Sequence, residues 1–224
     1  MFQISLMTIG ALLTPTQTMI VALLIISSDR KVGVNMGFHK GSRKGNKIEW
    51  IVCHYPVAPG CSANWCFNYY QKTSKKKSAH YAVCNALTVE MVPCKYAAWH
   101  CSTDKKKTYC KANNLNSIGI DLMENKVCKE TMSVNDNDWY IEEKTLHNAA
   151  VLIAALMKKY NIDIEHVVRH YDVTHKLCPR PLVGDDVNVF YGITGNERWK
   201  QFKQEIISII NKDDCDLNER EHKQ

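Results

Sequence analysis

The sequence predicts one α/β domain, a central, mostly mixed β-sheet flanked by helices. Three observations predict it. Ile48-Glu49-Trp50-Ile51-Val52-Cys53-His54-Tyr55 is rich in β-branched and aromatic residues and reads as a buried strand. Ser117-Ile118-Gly119-Ile120-Asp121-Leu122-Met123 reads as a second strand, entered from the turn residues Asn113, Asn114 and Asn116. Between Ile141 and Tyr160, the residues Leu146, Ala149, Ala150, Ile153, Leu156, Met157 and Tyr160 fall on one face at helical spacing. Strands that alternate with helices imply a sheet with helices packed on it.

The elements follow in order. Residues 1–35 form an apolar N-terminal segment with no charged side chain before Asp29 and a continuous apolar run from Met19 to Ile26. Three readings stay open for it: a signal or anchor lacking the usual basic start, a membrane-contacting segment over residues 1–28, or a mis-called start with translation beginning at Met36. The positive residues that follow (Arg30, Lys31, Lys40, Arg43) would hold the C-terminal side of a span in the cytoplasm. The main domain is expected over 45–211. After the first strand, Pro56, Pro59 and Gly60 break the chain, and Ser62 is placed to cap a short helix through Tyr70. Two strands are expected at Ala79–Ala86 and Leu87–Val92. Asn161 ends the long helix, a short strand covers His166–His170, and Pro179 and Pro181 close the loop after it. A last helix over Glu197–Asn211 turns Trp199, Phe202, Ile206, Ile209 and Ile210 inward, and 212–224 reads as a frayed polar tail.

Composition bounds the rest. The 224 residues are 45% hydrophobic and 23% charged, which suits a single globular domain. The net charge of +6 sits partly in two lysine runs, Lys75–Lys77 and Lys105–Lys107. These read either as solvated loops or as attraction to an anionic polymer. No stripe of basic residues interleaved with aromatics accompanies them, so nucleic acid is not an expected partner. Of the ten cysteines no pair has CxxC spacing, and several sit inside apolar runs such as Ile51-Val52-Cys53. Mostly reduced thiols are expected, with Cys178 set apart.

The residues that carry chemistry are His54 at a strand end, and His170 and Cys178, eight residues apart across a loop. Two imidazoles and a thiolate suit Zn2+, and three protein ligands leave a fourth tetrahedral position open for water or substrate. On residue types alone the spacing is a weak argument, and a core histidine for His54 and a buried thiol for Cys178 stay open.

The local sequence adds a resemblance. The run Arg169-His170-Tyr171-Asp172-Val173-Thr174-His175-Lys176-Leu177-Cys178-Pro179 is similar to the H-x-D-V-x-x-K-x-C-P signature of the type 2 N-acetylmuramoyl-L-alanine amidases. That family holds phage lysins, Gram-positive autolysins and the animal peptidoglycan-recognition proteins. Ile51–Tyr55, Ser78-Ala79-His80-Tyr81, Ala98-Trp99-His100 and Asn116–Asp121 resemble further segments in the same order. The resemblance implies a zinc site at one edge of a groove, with His54, His170 and Cys178 as metal ligands. It implies Lys176 as the cation that stabilises an oxyanion, and Asp121 in place of the family's usual glutamate as the group that moves the proton. His80 and His100 are expected at the substrate. Ala79 stands where some relatives use a tyrosine, so catalysis by that residue is not expected.

The implied reaction is hydrolysis of the amide between the lactyl group and L-alanine in bacterial peptidoglycan, by a monomer acting on the cell wall. The rival readings are a module that binds muropeptide without cutting it and a zinc peptidase acting within the stem peptide. About a dozen residues follow the last helix, so targeting is expected to rest on the groove and the lysine runs.

Overall fold

The computed structural model describes residues 40–102 and 109–221; the N-terminal segment and Lys105–Lys107 lie outside the described residues. The elements in chain order are β1 (Lys40–Ser42), β2 (Trp50–His54), α1 (Ala63–Lys72), β3 (Tyr81–Val83), β4 (Thr88–Glu90), β5 (Tyr96–Ala98) and β6 (Ser117–Leu122). There follow β7 (Asn125–Lys126), β8 (Trp139–Tyr140), α2 (Glu143–Tyr160), β9 (Val167–Arg169), α3 (His170–Thr174) and α4 (Gly195–Glu221). The main sheet has the order β4-β3-β6-β2-β9. In it β3, β6, β2 and β9 run parallel, and only the edge strand β4 is antiparallel. The mixed sheet expected from the sequence is therefore present.

Alternation along these strands sorts residues onto two faces. Ile51, Cys53, Ile118, Ile120, Leu122 and Val167 meet Leu146, Ile153, Phe202 and Ile206 of α2 and α4 in the main core. Each fully buried Leu or Ile there stabilises the fold by about 1.5–3 kcal/mol. The opposite face packs Ala82 against Cys66, Phe67 and Tyr70 of α1, and Val52 against Val168 and Val173. That second face also carries His54 and Asp121, which sit side by side in the β2–β6 register. Both lie at the C-terminal ends of parallel strands, the edge where open α/β sheets place their ligands.

Local chemistry sets the boundaries. The Ser62 hydroxyl accepts from the Trp65 amide at 3.2 Å and starts α1. Asn161, at φ 53°, ends α2 in the left-handed conformation that asparagine tolerates. The expected strands at 79–86 and 87–92 form one hairpin, each shorter than its apolar run. The pairs β1–β5 and β7–β8 carry no sequence pattern of their own, being two or three residues long. His170 opens a short helix rather than closing a strand. The last helix runs to Glu221, ten residues past the expected stop at Asn211, so 212–221 continues it and is not a frayed tail. No helix among the described residues is long and apolar enough to cross a membrane. The nine cysteines among the described side chains carry free thiols.

Candidate metal and catalytic site

Three donor atoms converge at the C-terminal edge of the sheet. His54 Nδ1 lies 3.1 Å from His170 Nδ1 and 3.8 Å from Cys178 Sγ. All three side chains are buried, and one donor atom from each lies within 4.8 Å of the others. Tetrahedral bonds of about 2.0 Å to nitrogen and about 2.3 Å to sulfur would put donors roughly 3.3–3.6 Å apart, so this set could hold a metal ion.

Each donor is fixed by its own element. His54 ends β2. His170 opens α3, whose first turn is clamped by Arg169: Asp172 Oδ2 accepts from the Arg169 backbone N–H at 2.8 Å and from its Nε at 3.0 Å. Arg169 Nη1 also donates to the Leu182 carbonyl at 2.7 Å and to Asn196 Oδ1 at 2.6 Å, tying α3 to the start of α4. The Tyr171 amide donates to the Cys178 carbonyl at 2.9 Å, which closes the loop and brings the thiol back under His170.

The histidine tautomers follow from a chain of partners. Ser117 Oγ has a single proton and gives it to the Asn113 carbonyl, which can only accept. Its oxygen must then accept from His100 Nε2, 3.2 Å away. His100 keeps a bare Nδ1, which lies 2.9 Å from His54 Nε2 and accepts its proton. His54 is left with its Nδ1 lone pair pointed at the other two donors. Burial, first of all, pushes His54 and His100 well below the usual histidine range, and His170 to about 4 with help from the Lys176 cation. All three are therefore neutral at pH 7, as ligation requires. Gly119 makes the chain possible: a Cβ there would stand 2.5 Å from the His100 ring.

Asp121 faces the same space. It is 3% exposed, and its Oδ2 accepts from the Tyr70 hydroxyl at 2.7 Å and from the Cys66 thiol at 3.4 Å. Burial raises its pKa, opposed by those two donors and by the cations of Lys77 and Lys176. Both bonds fall on Oδ2, so Oδ1 is the oxygen left to meet a water. The Lys176 ammonium acts electrostatically on His54, His170, Asp121 and Cys178 alike. For Cys178 burial dominates and pushes the thiol up to about 12, while Lys176 and the Tyr55 backbone N–H favour the thiolate.

A family model for N-acetylmuramoyl-L-alanine amidase matches residues 44–181. The chain belongs to the N-acetylmuramoyl-L-alanine amidase family. It is 36% identical over 147 residues to the N-acetylmuramoyl-L-alanine amidase CwlL of Bacillus licheniformis, covering 62% of this chain and 38% of that protein. The chain thus spans less than half the length of that relative. Among solved structures, PlyL matches at TM-score 0.56 and 23% identity, covering 78% of this chain and 92% of its own. The catalytic domain of XlyA matches at TM-score 0.56 and 23% identity, over 77% of this chain and 95% of its own. These structural matches show the shared fold.

Within this amidase fold the expected residues are not all placed alike. His54, His170 and Cys178 gather in one site with Asp121 beside His54 in the β2–β6 register, and the Lys176 charge acts on all four. His80 does not reach a substrate: it is 0% exposed, its Nδ1 accepts from the Gly119 amide at 2.9 Å, and its Nε2 lies 3.0 Å from Arg43 and 3.1 Å from the Tyr96 carbonyl. It is a core histidine that braces β6. His100 has both ring nitrogens engaged by protein, His54 Nε2 at 2.9 Å and Ser117 Oγ at 3.2 Å, and so orients His54.

Sequence reasoning overlooked the groups that hold the site: Arg169, Asp172, Ser117, Tyr70 and Cys66. It also overlooked Glu124, three residues past Asp121. Glu124 is 1% exposed; one carboxyl oxygen accepts from the Ala58 amide and the other has no partner among the described residues. It holds the loop after His54, in which Val57, a β-branched residue, stands at φ 62°. Burial pushes its carboxyl up to about 8, against the amides of Ala58 and Val57. A raised carboxyl pKa means that the folded form takes up a proton, so the associated stability is greatest at acid pH and is lost as pH rises towards 8. Relative to Glu124→Gln, the wild-type melting temperature therefore falls by roughly 5 °C or more between about pH 5 and about pH 8. Parallel melting curves for the two proteins would contradict this placement.

Proposed function

We propose that the protein is a zinc-dependent N-acetylmuramoyl-L-alanine amidase that hydrolyses the lactyl–L-alanine amide of bacterial peptidoglycan. The observation that carries this reading is the convergence of His54 Nδ1, His170 Nδ1 and Cys178 Sγ, donors that match zinc in type and spacing. The names of its relatives support the substrate. In this reading 45–211 is the catalytic unit, a monomer, and it acts at the cell wall, with residues 1–28 available for membrane contact.

Bound by the three donors, zinc supplies Lewis acidity towards the amide carbonyl and the water that attacks it. The protein does the rest. Asp121 takes the proton of the attacking water at Oδ1 and returns it to the leaving alanine nitrogen. Its raised pKa makes it a stronger base than an exposed aspartate. The Tyr70 hydroxyl holds the other oxygen, so the carboxylate cannot rotate away. In this reading the Lys176 ammonium meets the negative charge that builds on the carbonyl oxygen, a contribution made only in the transition state. Arg169 and Asp172 keep α3, and with it His170, in place.

Digestion of purified peptidoglycan, followed by mass spectrometry, tests the reading. New peptides beginning with L-alanine, formed without chelator and absent with it, are expected; new ends elsewhere in the stem would mark a different hydrolase. Lys176→Ala is expected to retain full zinc content while kcat falls roughly 10²–10³-fold. Loss of metal from that variant would place the lysine in the wrong role.

A further inference from the structure

On the rim of the site three rings are stacked. Tyr109 lies on His175 with centroids 3.6 Å apart and planes 10° from parallel, and His175 lies on Tyr171 at 5.5 Å and 28°. The Arg169 guanidinium sits 5.4 Å from the Tyr171 ring, so the stack is rooted in the clamp that holds α3. Its other end is open. Tyr109 is 69% exposed, more than any other large apolar side chain among the described residues. The geometry is fixed at two points: the Tyr109 amide donates to the Val173 carbonyl at 2.8 Å, and His175 holds φ 59° with its amide bonded to the Tyr171 carbonyl at 2.8 Å. The left-handed region is disfavoured for a residue with a side chain, yet this conformation is what turns the His175 ring onto Tyr109.

We propose that the outer face of Tyr109 is a stacking platform for a pyranose ring of the glycan strand. The inference rests on the amidase reading for its direction. Lys176 follows His175 directly, and the amidase reading assigns its ammonium to the carbonyl oxygen, so in that reading this rim adjoins the acyl group. In a lactyl–alanine amide the acyl side is the one attached to the sugar. Asp121, which in the same reading serves the leaving amine, marks the peptide side. A flat, open aromatic face suits the apolar C–H face of a neutral sugar, and a rigid stack loses little entropy when it is covered.

Binding of chitotetraose, a peptide-free β-1,4 N-acetylglucosamine oligomer, tests the platform apart from the chemistry. Calorimetry on the zinc-loaded wild type is expected to show binding, weakened about five- to tenfold in Tyr109→Ala and restored in Tyr109→Trp. On intact peptidoglycan Tyr109→Ala is expected to raise KM by a similar factor with kcat held. Equal chitotetraose affinity in wild type and Tyr109→Ala, or no binding by the wild type, overturns the platform. Failure of the wild type to release peptides beginning with L-alanine would instead sink the amidase reading, and the oligosaccharide titration would still decide the role of Tyr109.

Discussion

Cys178→Ser is expected to lose its zinc and its amidase activity together, with turnover on peptidoglycan down by on the order of 10³-fold or more. Cys178 is 0% exposed and meets His54 Nδ1 at 3.8 Å, and it receives the Tyr55 backbone N–H, a donor that favours the thiolate over the thiol. A serine hydroxyl in that place is a far weaker ligand, because it does not ionise near neutral pH even beside Lys176. With the cation gone, two neutral imidazoles would remain close together with no common partner. Metal analysis and turnover measured on the same preparation check this. A serine variant that keeps stoichiometric zinc would remove sulfur from the ligand set.

The second large effect belongs to Asp121. Asp121→Asn preserves the shape and the Tyr70 contact but abolishes the base, so kcat is expected to fall about 10²–10⁴-fold with zinc retained. The sign of the pH effect follows from burial. Because the carboxyl is raised above its ordinary range, activity is lost as pH falls through that raised value, at a higher pH than an exposed aspartate would give. Tyr70→Phe removes a donor that favours the carboxylate, and should move the acid limb of the pH–rate profile upward again. Wild-type kcat in Asp121→Asn, measured with zinc present, would assign the proton transfer to another group.

Much of the fold was legible because its main elements carry strong local signals. The period of the Ile141–Tyr160 stretch marks a helix whatever it packs against, and the apolar runs at 48–55 and 117–123 could only be interior strands. The short pairs β1–β5 and β7–β8 were not legible, since strands of two or three residues are held by neighbours distant in sequence. The end of α4 was misjudged because polarity over 212–221 looked like a tail, whereas a helix already anchored by Trp199, Phe202 and Ile206 can continue into solvent.

At the site the same division holds. His54, His170, Cys178 and Lys176 stand in recognisable local runs, and their convergence follows from β2 and β9 being sheet neighbours. His80 was misplaced, and the partners of His100 were not legible, because a histidine reads alike in sequence whether it faces a substrate or braces a strand. Only the Gly119 amide under His80 and the Ser117–His100–His54 chain decide it, and those partners come from separate segments. Glu124 gave no signal, since a lone glutamate after a strand ordinarily faces water.

X-ray absorption at the zinc edge of the purified protein tests the metal centre most directly. The proposed zinc site predicts two nitrogen scatterers at about 2.0 Å, one sulfur at about 2.3 Å and one further light atom from solvent. A spectrum without sulfur, or a stoichiometry well below one zinc per chain after loading, would contradict the site on which the catalytic reading stands.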